Sequence, residues 1–178
     1  MSAPTRDALH PGRWSTGPTT ATASFRARDV LHRTVTGTLP VRSATVEVGA
    51  DGRPQRVRAE LDLAGVDTGS ARRDHDLRGK RFFDVERAGV LLFTAGPATA
   101  TADGWTLPGE LDLHDIHCPV VLEVHRTGPT SVRATAQLDR RDLGIRVPRL
   151  MVGSVVVVTV DAELTPPTST PPTSTPPT

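Results

Sequence analysis

The sequence predicts an all-β domain: a closed antiparallel barrel or a sandwich of about eight or nine strands, with one short helix. Three observations carry that expectation. Apolar and polar residues alternate through most of the central region, as in Val57-Arg58-Ala59-Glu60-Leu61-Asp62-Leu63, which is the two-residue period of a half-buried strand. Turn signals such as Asp51-Gly52, Asp103-Gly104 and Gly128-Pro129 separate these runs. A single segment, residues 70–79, has helical features. Closure into a barrel is attractive because strands this rich in valine would otherwise expose an edge able to recruit other chains.

The strands follow in order. Ala23, Phe25 and Ala27 alternate with Ser24, Arg26 and Arg28. Residues 35–39 continue the pattern, and Gly37 inside the run suggests a bend or bulge. Residues 41–48 form the next run, followed by 57–63, 90–95, 105–113, 119–125, 131–138 and 154–164. Ser70 is a suitable N-cap for a short helix through Arg73, His75, Leu77 and Arg78, with Gly79 placed to stop it.

Composition divides the chain into three parts. Residues 1–21 are polar and interrupted by Gly and Pro, which suggests a flexible N-terminal arm with one anchor at Trp14. Residues 22–164 hold almost all the Val and Leu and form the barrel domain. Residues 165–178 contain only Pro, Thr and Ser. With no apolar side chain to bury, that tail cannot offset its ordering entropy and is expected to be disordered and polyproline-like.

Charge and cysteine content exclude several function classes. The formal net charge is +1, from 21 basic and 20 acidic residues, so neither nucleic acid nor an anionic membrane is expected as the main partner. Lys80 is the only lysine, a bias that fits a GC-rich coding sequence. Cys118 is the only cysteine, so no internal disulfide can form. No run approaches the roughly 20 apolar residues of a membrane-spanning helix. Stable membrane insertion is therefore not expected, and the cytoplasm is the default location.

Several motifs in the central region, met in order, resemble a known family. Val66-Asp67-Thr68-Gly69 is followed by Arg73-Asp74-His75-Asp76-Leu77-Arg78 and then Phe82-Phe83-Asp84-Val85-Glu86. This is similar to the signature of the YceI-like family. Gly109-Glu110-Leu111-Asp112-Leu113-His114, Cys118-Pro119-Val120-Val121-Leu122 and Asp139-Arg140-Arg141-Asp142-Leu143-Gly144-Ile145 resemble further stretches of it. Departures lie at His75, one place early in the helix motif, at Ala88-Gly89, at Asp115 and at Asp29. The resemblance implies a lipocalin-like antiparallel eight-stranded barrel that binds long isoprenoid or similar amphiphilic chains in its interior.

An eight-stranded barrel is wide enough to be filled by side chains or to hold one slim ligand. Only four Phe, two Trp and no Tyr are available to fill it. By register Phe25, Ala27, Leu91, Phe93, Leu111 and Leu113 share the inward face and are the candidate ligand lining, with plain core packing as the competing role. Arg73, Asp74, Arg78 and His114 are expected near the mouth, where they would orient a polar head group. A solvated, self-paired helix face is the competing reading of the charged run 72–76.

No catalytic constellation is legible. Ser154 lacks a Gly-x-Ser-x-Gly context, and no Gly-rich phosphate loop occurs. His114, His117 and Cys118 are close in sequence, but opposite parity would turn the two histidines to different sides of a strand, so no metal is expected. Asp67 is read as a turn cap, and the 139–144 segment as a charged hairpin with a surface ion pair. The expected function is carriage or sequestration of an apolar chain, without a cofactor and without catalysis. An enzyme acting on such a lipid, or an interaction module with a filled barrel, are the alternatives. Pairing into a homodimer is compatible with the sequence.

Overall fold

The computed structural model describes residues 9–28, 31, 33–147 and 153–168. Among these residues the strands are β1 (Gly12–Thr16), β2 (Ala21–Arg28), β3 (Thr34–Val48), β4 (Pro54–Asp62), β5 (Val90–Ala95), β6 (Thr99–Ala100), β7 (Trp105–Leu113), β8 (Ile116–Arg126), β9 (Ser131–Asp139) and β10 (Val155–Glu163). One α-helix, α1 (Ala71–Arg78), lies between β4 and β5, and a 3₁₀ helix, Arg140–Leu143, follows β9.

Eight strands close into an antiparallel barrel in the order β3-β2-β10-β9-β8-β7-β5-β4, sealed by the pairing of β4 back onto β3. The short β6 pairs with β7 outside this ring. Closure follows from the period-2 pattern, because each strand buries one face and the ring removes the exposed edges. The inward set includes Ala23, Leu39, Leu61, Phe93, Leu107, Leu111 and Val120, all buried in one cluster.

Several expectations need correction. Residues 12–16, assigned from sequence to a loose arm, form β1 and pair with the second half of β3, Thr16 opposite Ala44. β1 and β2 lie end to end along one side of β3, since Thr22 pairs with Pro40. The anchor is Trp14, which is 3% exposed; its indole N–H donates to the His10 carbonyl at 2.9 Å. The buried Trp14 surface and the ladder to β3 together offset the ordering cost of this five-residue strand. Thr165, assigned to the tail, exchanges main-chain hydrogen bonds with Ser15 at 2.7 and 3.2 Å. Of the remaining arm and tail, residues 1–8 and 169–178 lie outside the described residues, as does Asp29.

The runs 35–39 and 41–48 are one continuous strand, β3. Gly37 is not a bulge: it pairs in regular register with Phe25. A Cβ at Gly37 would stand 2.4 Å from the Phe25 ring, so the glycine makes room for that ring. The irregularities of β3, in its pairing with β4, lie between Val41 and Ser43 and between Glu47 and Val48 instead.

At one end of the barrel lie α1, the β7–β8 turn and the 3₁₀ helix; at the other lie the connections that follow β3, β5 and β8. β8 and β9 pair only from Glu123–Thr135 to Arg126–Val132. Toward the α1 end they part, and the 3₁₀ helix packs against β8 there.

Candidate ligand cavity and cleft

The barrel interior encloses a cavity of about 220 Å³. Among the described residues its wall carries no charged side chain, and only Thr16 and Ser24 bring hydroxyls to it. Ser24 donates its hydroxyl to the Thr159 carbonyl at 3.2 Å. Eight of the wall residues are alanines, contributed by several strands and including Ala23, Ala59, Ala134 and Ala136. Small side chains at inward positions leave unfilled the space that larger ones would occupy, and a void of this chemistry stays dry. It exceeds the ~150 Å³ apolar cavity known to accept benzene.

A second concavity of about 420 Å³ opens at the α1 end. α1, the starts of β3 and β10, the end of β2, Phe82–Phe83 and the 3₁₀ helix border it. Phe25 and Phe83 belong to the walls of both spaces. These two rings therefore stand where the outer cleft meets the inner cavity.

Of the expected lining residues, Phe25, Leu91, Phe93 and Leu111 face the inner cavity, and Ala27 faces the cleft. Leu113 is 2% exposed and packs in the core cluster without reaching either space. Phe93 crosses toward Gly109, where a Cβ would stand 2.6 Å from its ring.

The polar residues expected at the mouth are engaged with the chain itself. α1 is capped by Ser70, whose side chain accepts from the Arg73 N–H. Gly79 ends it in an extended conformation (φ −74°), not a left-handed one. Asp74 is buried and accepts from the Thr68 N–H at 2.9 Å and the Thr68 hydroxyl at 2.6 Å. Arg73 donates to Thr68 Oγ1 at 2.8 Å and to the Thr68 carbonyl at 3.0 Å. Arg78 donates to the carbonyls of Ala64 at 2.7 Å and Val66 at 3.0 Å. Asp67 accepts from the Gly69 N–H at 2.8 Å, as a turn cap does. These contacts fasten α1 to the 64–69 loop across the barrel end. Arg73 still borders the cleft, whereas Asp74 and Arg78 reach neither space. The charged run is thus not uniformly solvated, because α1 turns Asp74 inward onto donors that satisfy its carboxylate.

His114 is not on a strand but in the two-residue turn between β7 and β8, where His114 and Asp115 have φ of 55° and 66°. Its Nε2 lies 2.7 Å from the Phe83 carbonyl. It borders neither space. His117 points outward, with Nδ1 3.0 Å from Glu110 Oε1, while Cys118 is buried at 1% exposure. Strand parity turns His117 and Cys118 to opposite faces of β8 while His114 sits in the turn, and among the described residues the three form no metal-holding group. Burial pushes the Cys118 thiol above its ordinary pKa, and the nearby Asp142 and Asp139 add to this.

Sequence reasoning missed Arg140 as a site residue. The sequence places it in a charged surface hairpin, yet it is 4% exposed. Its guanidinium donates to the carbonyls of Ile145 at 2.5 Å, Val147 at 2.9 Å and Gly153 at 3.1 Å. The surface ion pair of that segment is Arg141 with Asp139. Leu143 and Phe83 also escaped, the first because the 3₁₀ helix that aims it at the cavity has no period-2 signal.

A profile of the YceI-like domain matches residues 14–164. A UPF0312 protein of Yersinia enterocolitica is 36% identical over 73 residues, which is 41% of this chain and 38% of that protein. A UPF0312 protein of Yersinia pestis is 34% identical over a stretch of the same length. The matched stretch thus spans about two fifths of these curated relatives. Among solved structures, BcnA of Burkholderia cenocepacia superposes with a TM-score of 0.69 at 14% identity, covering 84% of this chain and 98% of that one. A polyisoprenoid binding domain from Saccharophagus degradans gives a TM-score of 0.64 at 16% identity, covering 89% and 100%. These structural likenesses establish a shared barrel. Together with the profile match over most of the chain, they show that the protein belongs to the YceI-like family.

Proposed function

We propose that the protein binds an isoprenoid or similar amphiphilic chain inside the barrel, and so carries or sequesters it. The observation that carries this reading is the apolar inner cavity meeting the outer cleft at Phe25 and Phe83. Each CH₂ taken from water contributes ~0.8 kcal/mol, so an interior lined by alanine, valine and leucine favours a hydrocarbon and offers nothing to a polar substrate. The inner cavity holds a short length of chain, and a longer tail runs on into the cleft. The polyisoprenoid binding domain with the same fold supports the choice of ligand class. Binding is favoured over catalysis because, among the described residues, no titratable side chain stands on the inner wall. A nucleophile, a base and an orienting group would all have to reach the chain there.

Farnesol titration tests the reading. Trp105 lines the cavity, so its fluorescence reports occupancy. Saturable one-to-one binding is expected, and Ala136→Phe, which fills the cavity from β9, should abolish it while the melting transition persists. A barrel indifferent to farnesol, and empty when purified and extracted with solvent, would refute carriage and favour an interaction module.

A further inference from the structure

The barrel wall is not zipped along its whole length. β8 begins at Ile116 and β9 ends at Asp139. Their ladder stops at Glu123–Thr135, and among the described residues no pair continues it toward α1. Pro119 lies in the parted stretch of β8 and has no N–H to give to a ladder. The slot between the two strands reaches the ligand space. Val120 and Leu122 on its β8 side, and Ala136 and Leu138 on its β9 side, all stand on the inner cavity wall.

The 3₁₀ helix Arg140–Leu143 closes this slot. It packs against β8 and β9, and Leu143, 7% exposed, completes the cavity wall there. The segment is seated on β8 by shape. Gly144 is left-handed (φ 75°), and a Cβ at that position would stand 2.4 Å from Ile116 Cδ1. Among the described residues no main-chain hydrogen bond joins residues 141–144 to β8. α1 is held differently, since Arg73 and Arg78 fasten it to the 64–69 loop through guanidinium hydrogen bonds. Charge-assisted bonds of that kind resist opening more than an apolar seat does. The outer lip of the slot is also uncharged: Pro119 and Val121 are exposed on β8, and Gln137 is exposed on β9. A long chain entering end-on must thread past the Phe25 and Phe83 rings, whereas a slot along the wall admits it sideways.

We infer that the slot between β8 and β9 is a side gate through which the hydrocarbon chain enters and leaves, with Leu143 as its shutter and the Ile116–Gly144 contact as its latch. This rests on the binding reading above and adds the route to it. Opening moves one short helical turn and breaks no β8–β9 rung, so the gate operates without unfolding the barrel.

Stopped-flow association and release of farnesol, read by Trp105 fluorescence, test the gate. The ladder register, carried on past Glu123–Thr135, sets Val121 against Gln137. Val121→Cys with Gln137→Cys, joined by a short bis-maleimide that spares the buried Cys118, closes the slot from outside. The joined protein should take up and release farnesol about tenfold more slowly than the unjoined variant, the barrier that one or two added rungs would contribute. His125→Cys with Arg133→Cys, joined in the same way within the existing ladder, should leave both rates unchanged. Ile116→Ala should quicken both rates severalfold at unchanged affinity, because Ile116 frees the shutter without touching the cavity wall. Rates that ignore the Val121–Gln137 link or Ile116→Ala would overturn the gate and leave binding standing. A change in affinity with only one rate altered would overturn it as well. Absence of farnesol binding in the unaltered protein would overturn both readings.

Discussion

The imidazole Nε2 of His114 stands 2.7 Å from the carbonyl oxygen of Phe83. A carbonyl only accepts, so Nε2 carries a proton, while Nδ1 is buried with no hydrogen-bond partner among the described residues. The bond ties the β7–β8 turn to the residue whose ring stands between cleft and cavity. His114→Ala removes the donor and costs about 1–3 kcal/mol if the carbonyl is left unsatisfied. Ligand dissociation should also quicken as Phe83 loosens. Denaturant midpoints with stopped-flow release of farnesol measure both effects, and an unchanged release rate would show that Phe83 is held without His114.

The neighbouring position is strained. Asp115 adopts φ of 66°, in the left-handed region that costs side chains other than glycine roughly 1 kcal/mol. Its own N–H bond to Asp112 Oδ1 comes from the main chain and survives substitution. Asp115→Gly should therefore stabilise the protein by about 0.5 kcal/mol after the added entropy of the unfolded chain is subtracted. Thermal unfolding would show a small rise in Tm, and a fall would mean that the carboxylate makes an unrecognised contribution.

Gly37 is a steric requirement. Gly37→Ala sets a methyl 2.4 Å from the Phe25 ring, and overpacking of this kind typically costs 1–3 kcal/mol. Adding Phe25→Leu should recover part of the loss, since a shorter side chain withdraws from the new methyl. Urea unfolding of the single and double variants gives the coupling. Additive losses would mean that the ring does not set the constraint.

Acid should weaken the fold. Arg141 holds the Asp139 carboxyl well below its ordinary range through side-chain and main-chain donors. Ser131 and Thr130 hydroxyls lower Glu163, and Arg53 lowers Asp51, chiefly through its main-chain N–H. Each group releases its proton more readily folded than unfolded, so the unfolded chain binds more protons in the window between the two values. The stabilisation is complete above the unfolded carboxylate pKa near 4 and disappears as pH falls below it. Denaturant midpoints from pH 6 to 2 should slope downward, less steeply in Asp139→Asn. Parallel profiles would exclude Asp139 as a contributor.

Cys118 should be inert in the native state. It is 1% exposed, and burial pushes its thiol upward in pKa; reaction needs an accessible thiolate. Labelling by a disulfide reagent at pH 8 should proceed only as fast as the protein opens. It should become immediate in denaturant, and rapid native labelling would place the thiol at the surface.

The barrel was legible because its signal is local: each strand announces its inward face every second residue, and Asp51-Gly52 or Asp103-Gly104 marks where it turns. The helix was legible for the same reason, in Ser70 and Gly79. Phe25, Leu91, Phe93 and Leu111 could be placed on the inward face by parity alone, but parity puts Leu113 there too, and only the folded barrel shows which of them reach the cavity. β1 was missed because a five-residue strand flanked by Gly and Pro has little pattern of its own; its partner lies some thirty residues away.

The sequence by itself determined the strand pattern, the inward set and the shortage of bulky residues to fill the interior. Only the tertiary structure decided what the polar residues do. Nothing in the order of residues tells that Asp74 and Arg78 are spent on the loop they fasten. Nor does it tell that Arg140 is buried at the cleft or that Phe83 stands between two spaces. Hydrophobic alternation is written along the chain, whereas a hydrogen bond or a cavity wall depends on residues that meet only when the barrel closes.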